Sequence, residues 1–417
     1  MSLVVPSHVP PELVRSFDFL DAPGMRSAPH DTMGELALGP PVFWNPTDRH
    51  PDGNLGYWVP TRMEVVRQVL QDTATFSSRQ IARYSSLMGE TWDLIPAEKD
   101  PPEHGRFRRF LNPLFSPTAM RRLEGRIRAN AAELVEAVRQ SGGCEFITDF
   151  AQPFPILIFM AMMGFPAERF ADFVRWGHDL HDGITLEDRM RGARASGAYL
   201  EAEIERVRAE PDDTVLSVIV HGEAEGAPFT PDEVKGMVYL LFGGAIHTVT
   251  ATLGYSALHL ARHRELQDEL RASPVLIPQA IDELMRAYSV VHSFRRVTRD
   301  VEIGGVTMKA GDWVRNTLPI ANRDPAAFDR PEVIDIHREQ NRHVGFSFGN
   351  HFCLGSHLAR LEMTVAWEEL LARLPAFRVA DDAAPELTTG LLLGVHRLEL
   401  AWDCRFRRWL DRPNGPS

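Results

Sequence analysis

Cysteine is scarce in this chain: three residues, Cys144, Cys353 and Cys404, in 417. An odd number spread so widely argues against a disulfide framework and fits a reducing compartment, the cytoplasm. Basic charge is also short. With 45 Lys and Arg against 57 Asp and Glu the formal charge is −12, which argues against a nucleic-acid binder, because phosphate contact needs a net basic face. The first twenty or so residues lack the apolar run of a signal peptide. No segment approaches the ~20 unbroken apolar residues of a membrane span, so a soluble protein without membrane association, acting on a small molecule, is expected. Internal repeats and low-complexity blocks are lacking too. What is present is an ordinary globular composition, 44% hydrophobic and 24% charged, enough for a sizeable core in one large domain or in two or three smaller ones.

The chain is organised around Phe346-Ser347-Phe348-Gly349-Asn350-His351-Phe352-Cys353-Leu354-Gly355. An amphipathic segment, Leu358 to Leu374, follows and predicts a helix with Cys353 at its N-terminal end. Unpaired backbone N–H groups and the helix dipole favour a negatively charged sulfur there. Gly349 and Gly355 permit tight turns and the close approach of a flat partner. Two plainer readings compete. A lone cysteine is most often a small buried hydrophobe, and His343, His351, Cys353 and His357 offer zinc ligands at short spacing, though without a paired Cys-x-x-Cys.

In chain order, residues 1 to 50 read as an irregular, proline-rich lead-in. Gly56 to Pro60 predicts a strand and Met63 to Gln71 a helix. Phe76 to Asp100 is irregular but holds Tyr84, Leu87, Met88, Trp92, Leu94 and Ile95, the content of packed cover or of a binding loop. In Asp100 to Arg109, His104 and Arg108 are four apart and share a helix face, able to grip a carboxylate or simply to form a basic outer stripe. Residues 117 to 240 read as successive helices: Thr118–Arg139, Pro155–Met163, Ala167–His181, Arg189–Ala209, Asp213–His221 and Pro231–Leu241. The last continues as one long apolar helix to about His263, with Gly243 and Gly244 in its middle. Such glycines cost roughly 1 kcal/mol each against alanine, so something should lie close against the backbone. Glu283 and Arg286, three apart, share a helix face.

The Phe346 to Gly355 run resembles the haem-binding loop of cytochrome P450 monooxygenases, with Phe346, Gly349, His351, Cys353 and Gly355 in the fixed places. The resemblance extends in order from about Gly56 to the C-terminus, and in character is nearest the bacterial camphor hydroxylases and their terpenoid-oxidising relatives. It implies a mainly α fold: a single triangular helical domain over residues 1–417 with a small β-rich region. It implies haem b, with Cys353 as the thiolate on iron and Gly355 beside it. His104, Arg108, Arg295 and His351 would hold the haem edge, and Ala245 would lie against its distal face. Gly244-Ala245-Ile246-His247-Thr248 takes the place of the oxygen-handling motif. Thr248 matches, while His247 replaces the usual acid and is read either as an altered proton relay or as a core histidine. Glu283 and Arg286, with Arg338, would form a structural ion network.

By the same resemblance Trp92, Leu240, Gly244, Val291, Phe294, Leu391 and Leu392 would face the substrate, with the Trp92 indole N–H a possible donor to it or the ring mere packing. The expected activity is hydroxylation, with O2, of a small hydrophobic substrate, a monoterpenoid or norisoprenoid. A peroxide-driven or redox-neutral haem-thiolate reaction is the alternative. No flavin fingerprint or four-cysteine cluster motif is present, so electrons would come from a [2Fe-2S] ferredoxin and its reductase. The basic group Arg106, Arg108, Arg109, Arg121 and Arg122 is its expected dock, on a protein expected to be monomeric.

Overall fold

Proline and hydroxyl side chains set where the long helices begin. Ser116 accepts a hydrogen bond from the Ala119 N–H at 3.3 Å, and Pro117 takes the first helical position, where its missing N–H is no loss. Thr185 with Asp188, and Thr230 with Glu233, form reciprocal capping boxes. The computed structural model describes residues 5–51, 53–82, 84–181, 185–381, 383–390 and 392–403. The helices that matter below are α1 (Met63–Gln71), α2 (Glu103–Leu111), α3 (Pro117–Arg139), α4 (Pro153–Met163), α5 (Phe170–His181), α6 (Leu186–Ala209), α7 (Pro231–Ile246), α8 (Thr248–Arg262), α9 (Ile277–Ala287) and α10 (Ser356–Arg373). α4 is apolar around its whole circumference and buried on nearly every side, as a helix inside a core must be.

Five strands form the main sheet: β1 (Val42–Arg49), β2 (Leu55–Pro60), β3 (Phe76–Ser77), β4 (His292–Val297) and β5 (Trp313–Thr317), in the spatial order β1-β2-β5-β4-β3. β5 runs antiparallel to β4 and parallel to β2, with Val314 opposite Trp58. One hydrophobic cluster extends from Phe19 to Trp402 and takes in the helices; a second, around Trp44, Trp58, Val297 and Val314, lies against the sheet.

Two expectations need correction. The segment before residue 50 is not irregular throughout, because Val42–Arg49 is a strand. It lies at the sheet edge and carries Pro46 where its register with β2 shifts, between Asn45 and Arg49, and an edge is where a strand tolerates proline. Trp44 opposite Trp58 packs edge to face at 5.3 Å, a gain that the turn-forming composition hid. Second, the long apolar helix is broken. α7 stops at Ile246, His247 sits at φ −114° and ψ −28°, and α8 starts at Thr248. The Thr248 hydroxyl donates to the Gly244 carbonyl at 3.0 Å, taking a backbone acceptor that the helix ladder uses. Among the described residues Pro231–Arg262 is long and apolar enough to cross a membrane, but most of it is buried inside the molecule.

Below the cysteine loop, Glu283 receives two bonds from Arg286, at 2.7 and 2.8 Å, and one from Arg338 to each of its oxygens at 3.2 Å. Arg286 also donates to the carbonyls of Asn322, Pro331 and Val333. Glu283 and Arg286 are almost wholly buried, so each lone pair and N–H is matched inside protein. Glu283→Ala should therefore lower stability by about 3–5 kcal/mol, since it strands buried cations. Denaturant unfolding checks this, and a loss below about 1 kcal/mol, the range of an exposed pair, would contradict it.

Candidate haem and substrate site

Ser347 and Gly349 both have left-handed backbone, at φ +65° and +68°, which turns the loop so that the Cys353 N–H bonds the Phe346 carbonyl at 2.9 Å. A Cβ on Gly349 would also fall 3.0 Å from the Leu70 carbonyl oxygen of α1, so conformation and space both demand glycine. Gly355 has φ −82° and needs no glycine for its turn; instead, a Cβ built there meets nothing within 4 Å. The Cys353 thiol opens onto space, yet desolvation is the largest influence on its titration. Both hold for a side chain on the wall of an internal cleft. Burial pushes the thiol up, against the Gly355 N–H and the charges of Arg108 and Arg360. A coordinating metal ion reverses that balance outright.

The second wall is α7 and its junction with α8. Met237, Val238, Tyr239, Phe242 and Ile246 are buried, whereas Leu240, Gly244 and Thr248, at i, i+4 and i+8, are open or half open. They form one stripe along the helix, with Ala245 half buried beside it. Cβ atoms built on Gly243 or Gly244 meet nothing within 4 Å. No protein atom presses on these glycines, so they border open space instead. His247 points elsewhere: its Nε2 lies 2.9 Å from where a Cβ on Gly177 of α5 would be. It lines a cavity of about 450 Å³ with Arg175, His178, Thr250, Leu392 and His396.

The third feature is a group of basic side chains. His104 and Arg108 lie one turn apart on α2, and the rings of His104 and His351 are 4.4 Å apart. His351 Nε2 meets Ser78 Oγ at 3.1 Å, and Arg108 donates to the Phe352 carbonyl at 2.9 Å. Burial, then Arg108 and Arg295, hold His104 down at about 4 despite Asp100. Burial, Arg295, His104 and Arg108 hold His351 down to about 2. Burial lowers even Arg295, to about 10. His104 Nε2 and Arg295 Nε find no hydrogen-bond partner among the described residues. A buried guanidinium with an orphaned N–H, Arg295, beside Arg108 and a buried His104 imidazole whose Nε2 lacks a partner among the described residues, calls for an anion, so these residues fit the carboxylates of a haem whose iron Cys353 would hold. The zinc alternative fails. Among the described residues no three His, Cys, Asp or Glu converge as a metal site, and His343 turns to Asp282 at 3.5 Å.

Of the expected substrate contacts, Val291 and Leu392 are brought together as a β-bridge. Phe294 packs edge to face on Tyr57 at 5.5 Å with the Arg315 guanidinium over its ring, so the sheet holds it. Trp92 is a correction to the donor reading. Its indole N–H donates to Glu90, two residues away, and its ring packs 4.7 Å from Tyr239 and 6.3 Å from Tyr84. Leu391 lies outside the described residues. The expected dock is also thinned: Arg106 pairs with Glu233 and Arg109 with Glu225. Composition gave no hint of those partners, more than a hundred residues away. Glu362 was missed. It is buried on α10, and burial alone pushes its carboxyl up to about 8; a glutamate on the apolar side of a predicted helix was the available signal.

The family profile for Cytochrome P450 matches residues 52–273 and 275–397. A probable cytochrome P450 127A1 of Sinorhizobium fredii is 39% identical over 404 residues, covering 95% of this chain and 97% of that protein. The crystal structure of cytochrome P450 CYP101C1 superposes with a TM-score of 0.86 at 33% identity, over 96% of this chain and all of that one (100%). That of CYP101J2 superposes at 0.85 and 32%, with the same coverage, 96% and 100%.

His104 supplies a test of the carboxylate fit. Its imidazole titrates near 4 when folded against 6.5 when unfolded, so the unfolded chain binds the proton more readily. The stability it contributes is complete above pH 6.5 and is lost as pH falls toward 4. A carboxylate against His104 raises the folded value and removes that loss. Unfolding midpoints of haem-free and haem-loaded protein between pH 7 and 4.5 should therefore diverge, the haem-free form falling faster. In His104→Gln the two should run closer to parallel; an unchanged divergence there would remove His104 from the haem edge.

Proposed function

The chain belongs to the cytochrome P450 family of haem-binding monooxygenases, and from that premise we propose that it hydroxylates a monoterpenoid or norisoprenoid with electrons from a [2Fe-2S] ferredoxin and its reductase. Bound haem supplies the oxidising chemistry, in which one atom of O2 enters a C–H bond and the other leaves as water. The protein supplies the rest. The sulfur of Cys353 would hold the haem iron, and as a thiolate it would push electron density onto it. The Gly355 N–H, Arg108 and Arg360 favour the charge on it. His104, Arg108, Arg295 and His351 would hold the haem carboxylates and so orient the ring.

The substrate class rests on one observation: the open stripe Leu240, Gly244 and Thr248 is apolar up to its single hydroxyl. Val291 and Leu392, joined by their bridge, are apolar as well. A compact apolar molecule suits such walls. With the Trp92 N–H held by Glu90, a ketone anchor at that position is lacking, which speaks against camphor itself. A panel of monoterpenoids, norisoprenoids and a steroid, read by the change in iron spin state, tests the class. Conversion of the steroid alone would overturn it. Turnover that proceeds with peroxide but not with ferredoxin, reductase and NADH would overturn the electron source. A reduced carbonyl adduct without the red-shifted thiolate band would remove Cys353 from the iron.

We assign proton handling to two residues. The Thr248 hydroxyl borders the open stripe and, by rotating from the Gly244 carbonyl, holds a proton toward the oxygen side. His247 lines the cavity with His178 and His396, and in this reading it passes protons from water, as an imidazole can near neutral pH. His247→Asp should shift the acid limb of the pH–rate profile downward and change the fraction of NADH electrons recovered in product. An unaltered profile and coupling would show that His247 has no part in proton delivery.

A further inference from the structure

We infer that Tyr288 is a redox-active tyrosine, with His259 as its proton acceptor, that draws an oxidising equivalent away from the haem cleft when no substrate consumes it. The inference rests on the reading that haem lies between Cys353 and the open face of α7 and α8. Thr248, which borders that face, begins a stripe that continues through Thr252, Tyr255 and His259 at i, i+4, i+7 and i+11 along α8. Tyr255 is two turns, about 10 Å, along the helix axis from Thr248. Its ring is stacked on that of Tyr288, just past the end of α9, with centroids 5.5 Å apart and planes within 6° of parallel. The Tyr288 hydroxyl lies 3.1 Å from His259 Nδ1. His30 packs edge-on against both rings, at 4.6 and 5.2 Å, and gives its own Nε2–H to the Ser289 carbonyl at 2.9 Å.

The two stacked phenols differ in the one respect that decides where an electron vacancy rests. Tyr255 is almost wholly buried and its hydroxyl finds no partner among the described residues, whereas Tyr288 is hydrogen-bonded to a base. Burial raises the titration of both, so each is a neutral phenol. Removing an electron alone would leave a positive ring away from water, which is costly. The charges of Arg323 and Arg262, offset in part by Asp31, oppose it further at Tyr288. Electron and proton must therefore leave together, and of the pair Tyr288 has somewhere to send the proton. Burial holds the His259 imidazole down at about 3, so at neutral pH it is uncharged and has a bare nitrogen to accept with. It sits in the last turn of α8, whose unpaired carbonyls favour an imidazolium once the proton arrives. In the balanced step the Tyr288 O–H bond breaks and its proton goes to His259 Nδ1. Its electron goes, by way of the Tyr255 ring, to the haem group that a peracid or O2 has oxidised, and a neutral phenoxyl radical is left. An outside one-electron reductant and the proton on His259 restore the phenol, and Tyr288 is open enough to solvent for such a reductant to reach it. Tyr57 is the competing site, since its hydroxyl donates to Asp48 at 2.7 Å. Arg315 donates to both of those partners, at 3.0 and 2.7 Å, and its positive charge disfavours oxidation there.

The test mixes haem-loaded enzyme, free of substrate, with a peracid, freeze-quenches it and reads electron paramagnetic resonance, while loss of the Soret band is followed in parallel. Wild type should give a radical signal whose splitting collapses when its tyrosines carry ring deuterium and which ascorbate removes. Tyr288→Phe, which keeps the stacked ring, should lose that signal and bleach its haem faster. His259→Leu, which keeps Tyr288 but leaves it no acceptor, should lose the signal too and serves if Tyr288→Phe folds poorly. Tyr255→Phe, which removes only an unpartnered hydroxyl, should keep it. A tyrosine signal of wild-type size in both Tyr288→Phe and His259→Leu, or one lost instead in Tyr57→Phe, overturns the inference, as does the lack of any tyrosine signal in wild type. A haem spectrum that does not respond to the peracid overturns instead the haem site on which the inference rests.

Discussion

The architecture depends on keeping an internal cleft open in the middle of a packed core while a thiol and several cations line it. Empty apolar space inside a protein forfeits dispersion contacts, and buried cations without partners are costly. The chain accepts both at the same place. Gly244 and Gly355 leave room where any side chain would fill it, and His104 and Arg295 keep donors that no described residue satisfies. A flat ligand carrying a central metal and carboxylates at one edge repairs both deficits together.

The surrounding structure holds that cleft open rigidly on one side and adjustably on the other. On the thiol side, the left-handed turns at Ser347 and Gly349, the bond from Arg108 and the buried Glu283 network fix the loop from several directions. Those contacts are buried, directional and expensive to break singly. On the α7 side, a loop rests between two helices on glycine contacts, aromatic rings and half-exposed ion pairs. The cysteine side is the more firmly fixed of the two, as suits a residue that would hold the haem iron.

Much of this was legible in the residues. The apolar Pro155 to Met163 segment announced its helix, because uniform hydrophobicity acts locally. Start points slipped by a few residues, as with Pro153 for Pro155. The cysteine loop, His104, Arg108, Glu283 and Arg286 could be picked out by spacing and resemblance. The strand Val42–Arg49 could not, because its stability comes from pairing with β2 rather than from its own turn-rich composition. Nor could the break at His247, which depends on a threonine hydroxyl taking a carbonyl four residues back.

Sequence alone determined which chemistry was available: one thiol at a helix start, glycines on an apolar helix, and paired basic and acidic residues at helical spacing. Those are properties of neighbours within a turn or two, and local periodicity reports them. The tertiary structure alone decided where each group points and what it meets. It gave the Trp92 N–H to Glu90, turned His247 toward α5, paired Arg106 and Arg109 with distant glutamates, and buried Glu362 deeply enough for desolvation to raise its carboxyl. Each of those outcomes depends on burial or on a partner brought close by packing, and neither quantity exists until the chain has folded.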